Sequence, residues 1–588
     1  MLSICCRVMF NPLRFITRTA KQVTHCKRDL TKLSYFHKPG KEHLLPWTVG
    51  HLIDRATERI GDTTAIVYSH QNISKTYTEY RKDVDQLAAG LVSLKLPEGS
   101  RVAILVPRLY EGAQLLYAAS KAGLVMVGIN TFCTVSELQF CLNKVSYLQL
   151  QAVCFIFLDT LRHDATNIIA PALRTSSDKR SSSQRYIFCY YVNTVNRCSL
   201  FRSGSITFDD LINSATAEDH FTMNAVSAKV QFDQDAFIQF SSGTTGQPKP
   251  VRLSHFNVVN NANIVGRFIG YHQQPESICL NGELIYGFGR TLGVLAATMF
   301  GCTVMMPGLA FSPKATLEVI AKHRCTMAYA TPSMFVEMMR ELEQGSYDIT
   351  CLRKGVLSGS LCNPTLAEKA RTKLNIQSLY IMYGATETSP IFSSTNPDET
   401  KCRWIRTVGT PLDHVEVKVV DPEGKMVPVN TKGELCTRGP HVFKGYLNDD
   451  VKTKKAIRDG WYHTGDEGTM SEDGRITFVG RIKEMINYRG LKVPPLEVEN
   501  VLNTHPDVKE AQVIGVPDET VGEKVCAWIE LQPDKSLTQE EVTTFCKDKL
   551  SWFMVPEYVL FVKSFPRTQT GKVQKHKMQE ESVRLYKQ

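Results

Sequence analysis

Ser241 to Pro250 reads SSGTTGQPKP, a ten-residue run that brings together the parts of a phosphate cradle. Gly243 and Gly246 let the backbone come close to a ligand, and Ser241, Ser242, Thr244 and Thr245 offer hydroxyls. Lys249 adds a positive charge beside them. Backbone N–H groups in such a loop form an anion-binding concavity. The Walker phosphate loop needs a glycine-lysine-serine or -threonine ending, and this segment lacks it. Read alone, the residues argue for a bound phosphate and name no nucleotide.

The elements around this loop should hold it at the end of a strand. Ala236 to Phe240 (AFIQF) is a short apolar run that leads straight into the cradle. Arg101 to Pro107 (RVAILVP) is a second buried-strand pattern, followed by a helical stretch from Glu111 to Ala122. Such alternation recurs from about Trp47 to Val479, which predicts a large layered α/β domain of mostly parallel sheets over 47–482. After Arg481 the elements become short: Leu496 to Leu502, Ala511 to Val516, Val525 to Leu531 and Glu540 to Leu550. They predict a small mobile α+β domain over 483–588, with the boundary near Lys483. Ser176 to Gln184 is a polar Ser, Lys and Arg cluster, and with the following run Tyr186 to Leu200 it is expected to be a surface loop or insertion.

Composition narrows the class. The chain has 588 residues, 43% hydrophobic and 22% charged, which excludes a disordered or fibrous protein and leaves room for several structural units. Net charge is +10, yet the segment up to Lys41 holds nine basic residues against the single Asp29 and so carries +8 of it. The nearly balanced remainder has no excess for a basic nucleic-acid stripe, so no nucleic-acid partner is expected. Residues 1–28 contain no acid and intersperse Arg7, Arg14, Arg18, Lys21, Lys27 and Arg28 among apolar residues. This predicts a mitochondrial transit peptide over 1–41, adding nothing to the fold, and a matrix location. Seventeen scattered cysteines without a C-x-x-C pair suit a reduced compartment. The charge-free run Thr291 to Ser312 contains Gly293, Gly301, Pro307 and Gly308, so it predicts a buried helix, turn and strand rather than a transmembrane span.

Five further motifs follow SSGTTGQPKP in order: YGATE at Tyr383 to Glu387, GELCTRG at Gly433 to Gly439, WYHTGD at Trp461 to Asp466, GRIKE at Gly480 to Glu484 and FPRTQTGK at Phe565 to Lys572. Together they resemble the signatures of the adenylate-forming, or AMP-binding, superfamily, over about Trp47 to Met578. Within it the chain is most similar to the mitochondrial medium-chain acyl-CoA synthetases. The resemblance implies an acid-thiol ligase in which ATP and a fatty acid give acyl-AMP and pyrophosphate, and CoA then gives acyl-CoA and AMP. It implies ATP, Mg2+ and CoA as the small-molecule partners. Lys572, Thr245 and Glu387 form the implied catalytic set, with Thr245 and Glu387 at the magnesium. Tyr383 would pack on adenine beside Gly384, and Thr386 would bond the AMP phosphate. Ser241, Ser242, Gly243, Thr244, Thr245, Gly246 and Lys249 would cradle the phosphates.

The residue types suit these roles. Asp466, in a Thr-Gly-Asp turn, can accept both ribose hydroxyls, although an Asx turn would serve its own backbone equally. Arg481 has a planar fork that reaches ribose or phosphate, and Lys572 is a point charge on a long stem. Because Lys572 and the cradle lie on different predicted domains, the domains must close on each other, with Lys483 as pivot. In the superfamily the small domain then rotates, and the loop around Gly490 lines the thiol channel. Two stretches depart from the pattern: Tyr286, in ELIYG, stands where many relatives place a histidine in the acyl-pocket wall, and LSGSLCNP after Val356 matches the adenine wall only loosely. The rival readings are an adenylating enzyme with a non-CoA acceptor and a catalytically weak nucleotide-binding protein.

Overall fold

The parallel strands of two sheets deliver Ser241 and the YGATE segment to one place. The computed structural model describes residues 32–130, 133–146, 153–158, 186–191, 205–241, 248–359, 364–397, 407–567 and 572–586. A nine-stranded sheet runs in the order Thr410–Pro411, Ser393–Ser394, Ser378–Tyr383, Lys354–Leu357, Met327–Ala330, Ser277–Leu280, Thr303–Met306, Thr64–Tyr68 and Ile73–Thr76. Its six strands from Ser378–Tyr383 to Thr64–Tyr68 are mutually parallel. In the eight-stranded sheet, Asp235–Ser241 lies between Val125–Gly128, parallel to it, and Lys249–Ser254, antiparallel. Ligands of such sheets collect beyond the carboxyl ends of the strands, and Ser241 and Tyr383 are both carboxyl-terminal residues.

Between the sheets the core is continuous. Every residue of helix Tyr110–Lys121 is buried, including the charged Lys121, whose Nζ donates to Asp54 at 2.6 Å. Buried Tyr77, Tyr80 and Tyr117 direct their hydroxyls to Cys302 O, Ala113 O and Thr298 Oγ1, so these three rings enter the core with their polar atoms paired. The run Thr291 to Ser312 supplies part of helix Phe288–Leu295, helix Ala296–Phe300 and strand Thr303–Met306. No helix among the described residues is long and apolar enough to cross a membrane.

A six-stranded antiparallel sheet carries Asp466 and Arg481: Trp461–Met470 pairs with Gly433–Arg438 on one side and Ile476–Arg481 on the other. Beyond it the small domain folds as a separate five-stranded sheet built on the long hairpin Val508–Asp518 and Gly522–Leu531. Two of the short elements expected here, Leu496 to Leu502 and Glu540 to Leu550, fall on helices Pro495–Leu502 and Gln539–Lys547, and a single turn, Ile482–Glu484, contains Lys483.

Two expectations are corrected. The segment before Lys41 does contribute to the fold: Tyr35–Lys38 pairs with Val415–Val420 at the sheet edge, and Ser34 N–H donates to Val427 O at 2.8 Å. Basic charge disguised a short strand whose pattern alternates exposed and half-buried residues. Residues 1–31 lie outside the described residues. Within the expected insertion, Tyr186–Tyr191 is a strand, parallel to Val153–Leu158 and to Ser205–Thr207. Its sequence YIFCYY is rich in strand-forming aromatics, a signal that the neighbouring polar cluster obscured. Ser176 to Gln184 lie outside the described residues.

Candidate active site

Asp466 and Arg481 face each other across two antiparallel strands, so register alone places carboxylate beside guanidinium. Arg481 Nε stands 3.8 Å from Asp466 Oδ1 and 4.0 Å from Glu484 Oε1. Tyr383, arriving from the nine-stranded sheet, donates its phenol proton to Asp466 Oδ2 at 2.6 Å. Its ring packs edge-on to Phe392 (4.9 Å between centroids) and Phe478 (5.7 Å), which leaves little freedom in its angle. Burial pushes the Asp466 carboxyl up, and the Tyr383 hydrogen bond, Arg481 and Lys572 oppose that shift. Burial first, with the nearby Asp466 charge, drives the Tyr383 phenol well above its usual value, so it stays a donor.

Gly384 follows because nothing larger fits. A Cβ there would come within 2.0 Å of Pro390 O and 2.8 Å of Ile391 Cα. The chain then turns through Thr386–Thr388 and sets Glu387 inside, 7% exposed. Glu387 Oε1 accepts from Ser241 Oγ–H at 3.2 Å and from Tyr446 Oη–H at 3.0 Å. Lys249 Nζ lies 5.4 Å from the centroid of the same Tyr446 ring, so the described end of the cradle converges on this carboxylate. Among the described residues no cationic side chain lies within ion-pair distance of Glu387. A buried carboxylate held by hydroxyls is a donor suited to a hard divalent cation. Thr386 Oγ1 accepts from Gln239 Nε2 at 3.1 Å.

Lys572 reaches this group from the small domain. Its loop is clipped at the base by a bridge between Arg567 and Val573, and the following helix Lys575–Tyr586 is tied by Lys575 Nζ to Glu499 at 2.6 Å. Desolvation and then Arg481 push the Lys572 ammonium down, while Glu484, Asp466 and Glu387 push it up, for a net value of about 8. The lysine thus feels charges from both the Asp466–Arg481 pair and Glu387.

Of the residues singled out from sequence, Ser241, Lys249, Tyr383, Gly384, Thr386, Glu387, Asp466, Arg481 and Lys572 are described and meet here. Ser242, Gly243, Thr244, Thr245 and Gly246 lie outside the described residues. Gly490 stands apart, in the two-residue turn between Ile486–Tyr488 and Leu491–Val493, where Arg489 (φ 50°) and Gly490 (φ 81°) both take left-handed backbone. Tyr286 is half-buried, and its carbonyl accepts the Arg290 N–H at 2.9 Å. Sequence reading missed Gln239, Arg290 and Tyr446. Gln239 had a signal, a lone amide inside an apolar strand, whereas Tyr446 had none.

With this geometry established, the chain is found to belong to the AMP-binding enzyme family: that family's profile matches residues 53–447, and its C-terminal domain matches 497–572. It is an AMP-forming acyl-CoA synthetase, working through an acyl-adenylate. Over 552 residues it is 36% identical to the mitochondrial medium-chain acyl-CoA ligase ACSF2 of Danio rerio, covering 93% of this chain and 90% of that one. The Homo sapiens protein of the same name is 34% identical over 560 residues (94% and 90%). The putative acyl-CoA synthetase YngI of Bacillus subtilis is 35% identical over 555 (92% and 98%). The fold matches that of the anthranilate CoA ligase AuaEII in complex with anthranoyl-AMP (TM-score 0.79, 22% identity, 92% of this chain and 99% of that chain). It also matches ATP-bound MatB from Rhodopseudomonas palustris (TM-score 0.78, 24% identity, 92% and 100%).

Proposed function

We propose that the protein activates medium-chain fatty acids with ATP and passes the acyl group to CoA in the mitochondrial matrix. The observation that carries the reading is the grouping of Tyr383, Asp466 and Arg481, whose charges Lys572 of the small domain feels together with that of Glu387. A carboxylate is a poor acyl donor because its leaving group would be oxide. Its oxygen attacks the α-phosphorus of ATP, pyrophosphate departs, and the acyl-AMP so formed has AMP as leaving group. Negative charge crowds together in this step, so preorganised donors and cations stabilise it. In this reading Asp466 holds the ribose hydroxyls, Arg481 and Tyr383 orient that carboxylate, and Thr386 donates to the α-phosphate. Lys572 neutralises the meeting carboxylate and phosphate. Mg2+ held by Glu387, with Thr245 completing its site, would neutralise the phosphates and the departing pyrophosphate.

The CoA half-reaction needs Lys572 to leave and the thiol to reach the acyl carbonyl, and rotation about Lys483 accomplishes both. The medium-chain and mitochondrial parts of the reading draw on the ACSF2 relatives and on the basic leader. The test is a panel of saturated acids from two to sixteen carbons, scored for acyl-CoA and pyrophosphate with and without CoA. A maximum between six and twelve carbons is expected. Preference for acetate, or for chains of sixteen carbons, would overturn the medium-chain assignment.

A further inference from the structure

Arg290 lies on the helix Phe288–Leu295 and is 1% exposed. Its Nη1 donates to Ile285 O at 3.3 Å and its Nη2 to Gln239 Oε1 at 2.9 Å. The guanidinium carbon stands 4.1 Å from the centroid of the Phe237 ring. Nε has no hydrogen-bond partner, and no carboxylate lies within ion-pair distance among the described residues. Arg108, equally buried, has Glu283 at 3.5 Å. An interior cation without a counter-ion is costly, so its presence calls for a use.

The hydrogen-bond directions supply one. A guanidinium only donates, so the Gln239 amide must turn its oxygen to Arg290 and its nitrogen to Thr386. The amide nitrogen in turn only donates, so Thr386 Oγ1 accepts at 3.1 Å. The hydroxyl proton of Thr386 is then left to point elsewhere, into the site. We propose that Arg290 is a positioning residue: through Gln239 it fixes the polarity of a relay that makes Thr386 a donor to a phosphate oxygen of the bound nucleotide. With the amide unlocked, Gln239 could present its oxygen, and Thr386 would spend its proton on the protein. The relay rests on the reading of Thr386 as a phosphate contact.

The test compares AMP with adenosine, which differ in the phosphate alone, by calorimetric binding to the full chain. Arg290→Met unlocks the amide, Gln239→Glu substitutes a group that can only accept from Thr386, and Arg290→Lys keeps a donor-only cation. About a tenfold loss of AMP affinity, with adenosine unchanged within twofold, is expected for Arg290→Met and Gln239→Glu. Arg290→Lys should keep most of the AMP preference. Equal loss of both ligands would make Arg290 merely structural and overturn the relay. So would an unchanged ratio of AMP to adenosine affinity in variants that melt like the parent. A wild-type chain that fails to bind AMP would remove the phosphate reading and the relay with it.

Discussion

Replacing Lys572 by alanine should separate the two half-reactions. The ammonium stands where the charges of Asp466, Glu387 and Glu484 are all felt, and Arg481 partly offsets them. Two unit charges about 4 Å apart at an effective dielectric of about 20 interact by roughly 4 kcal/mol. At about 1.36 kcal/mol per decade, loss of most of that attraction in the transition state slows adenylation roughly 10²- to 10³-fold. Thioester formation from supplied acyl-AMP should change less than about fivefold, because the proposed rotation withdraws Lys572 before that step. The pH dependence carries the same signature. A lysine pushed down to about 8 loses its charge as pH rises through that value, so kcat/KM for adenylation should fall above about pH 8. Lys572→Arg keeps the charge and should shift that limb upward by two units or more. Quenched-flow measurement of pyrophosphate without CoA, beside a single-turnover thioester assay, reads both steps. Equal loss in the two steps, or a descending limb near pH 8 that survives in Lys572→Arg, would refute the assigned role.

Three further outcomes are expected. Tyr383→Phe removes the donor at 2.6 Å from a half-buried carboxylate; at roughly 1.5–3 kcal/mol it should raise KM for ATP about 10- to 100-fold with kcat nearly unchanged, as steady-state kinetics will show. Lys483→Pro sits in the turn Ile482–Glu484 and fixes the backbone about which the small domain is proposed to rotate. It should form acyl-AMP normally and acyl-CoA at least tenfold more slowly, and a single-turnover thioester rate like the parent's would show that the pivot lies elsewhere. Deletion of residues 2–31 spares the edge strand Tyr35–Lys38 and should leave an active enzyme in the cytosol, whereas deletion to Lys41 should also lower Tm.

Most of the site could be read in the sequence because its residues fall in contiguous motifs at strand ends. Tyr383, Gly384, Thr386 and Glu387 occupy one turn, and Asp466 and Arg481 are strand partners whose register folding supplies. What sequence could not disclose is the second layer. Arg290 meets Gln239 across 51 positions, and Tyr446 meets Glu387 across 59, contacts that no local pattern encodes. Arg290 directly precedes the charge-free run Thr291 to Ser312 and is itself part of the interior. Gly490 shows the reverse: its presence is accounted for locally by a turn that takes left-handed backbone. At Tyr35–Lys38 and Tyr186–Tyr191, tertiary pairing prevailed over compositions that pointed to a leader and a loop.

In the proposed mechanism an acyl-adenylate is made before CoA takes part. Octanoate, ATP and Mg2+ mixed with enzyme in excess and without CoA should yield octanoyl-AMP and pyrophosphate in equal amounts. Addition of CoA should then convert that octanoyl-AMP to octanoyl-CoA and AMP within one turnover. Pyrophosphate that appears only when CoA is present, with no adenylate trapped at any time, would contradict a two-step reaction through acyl-AMP.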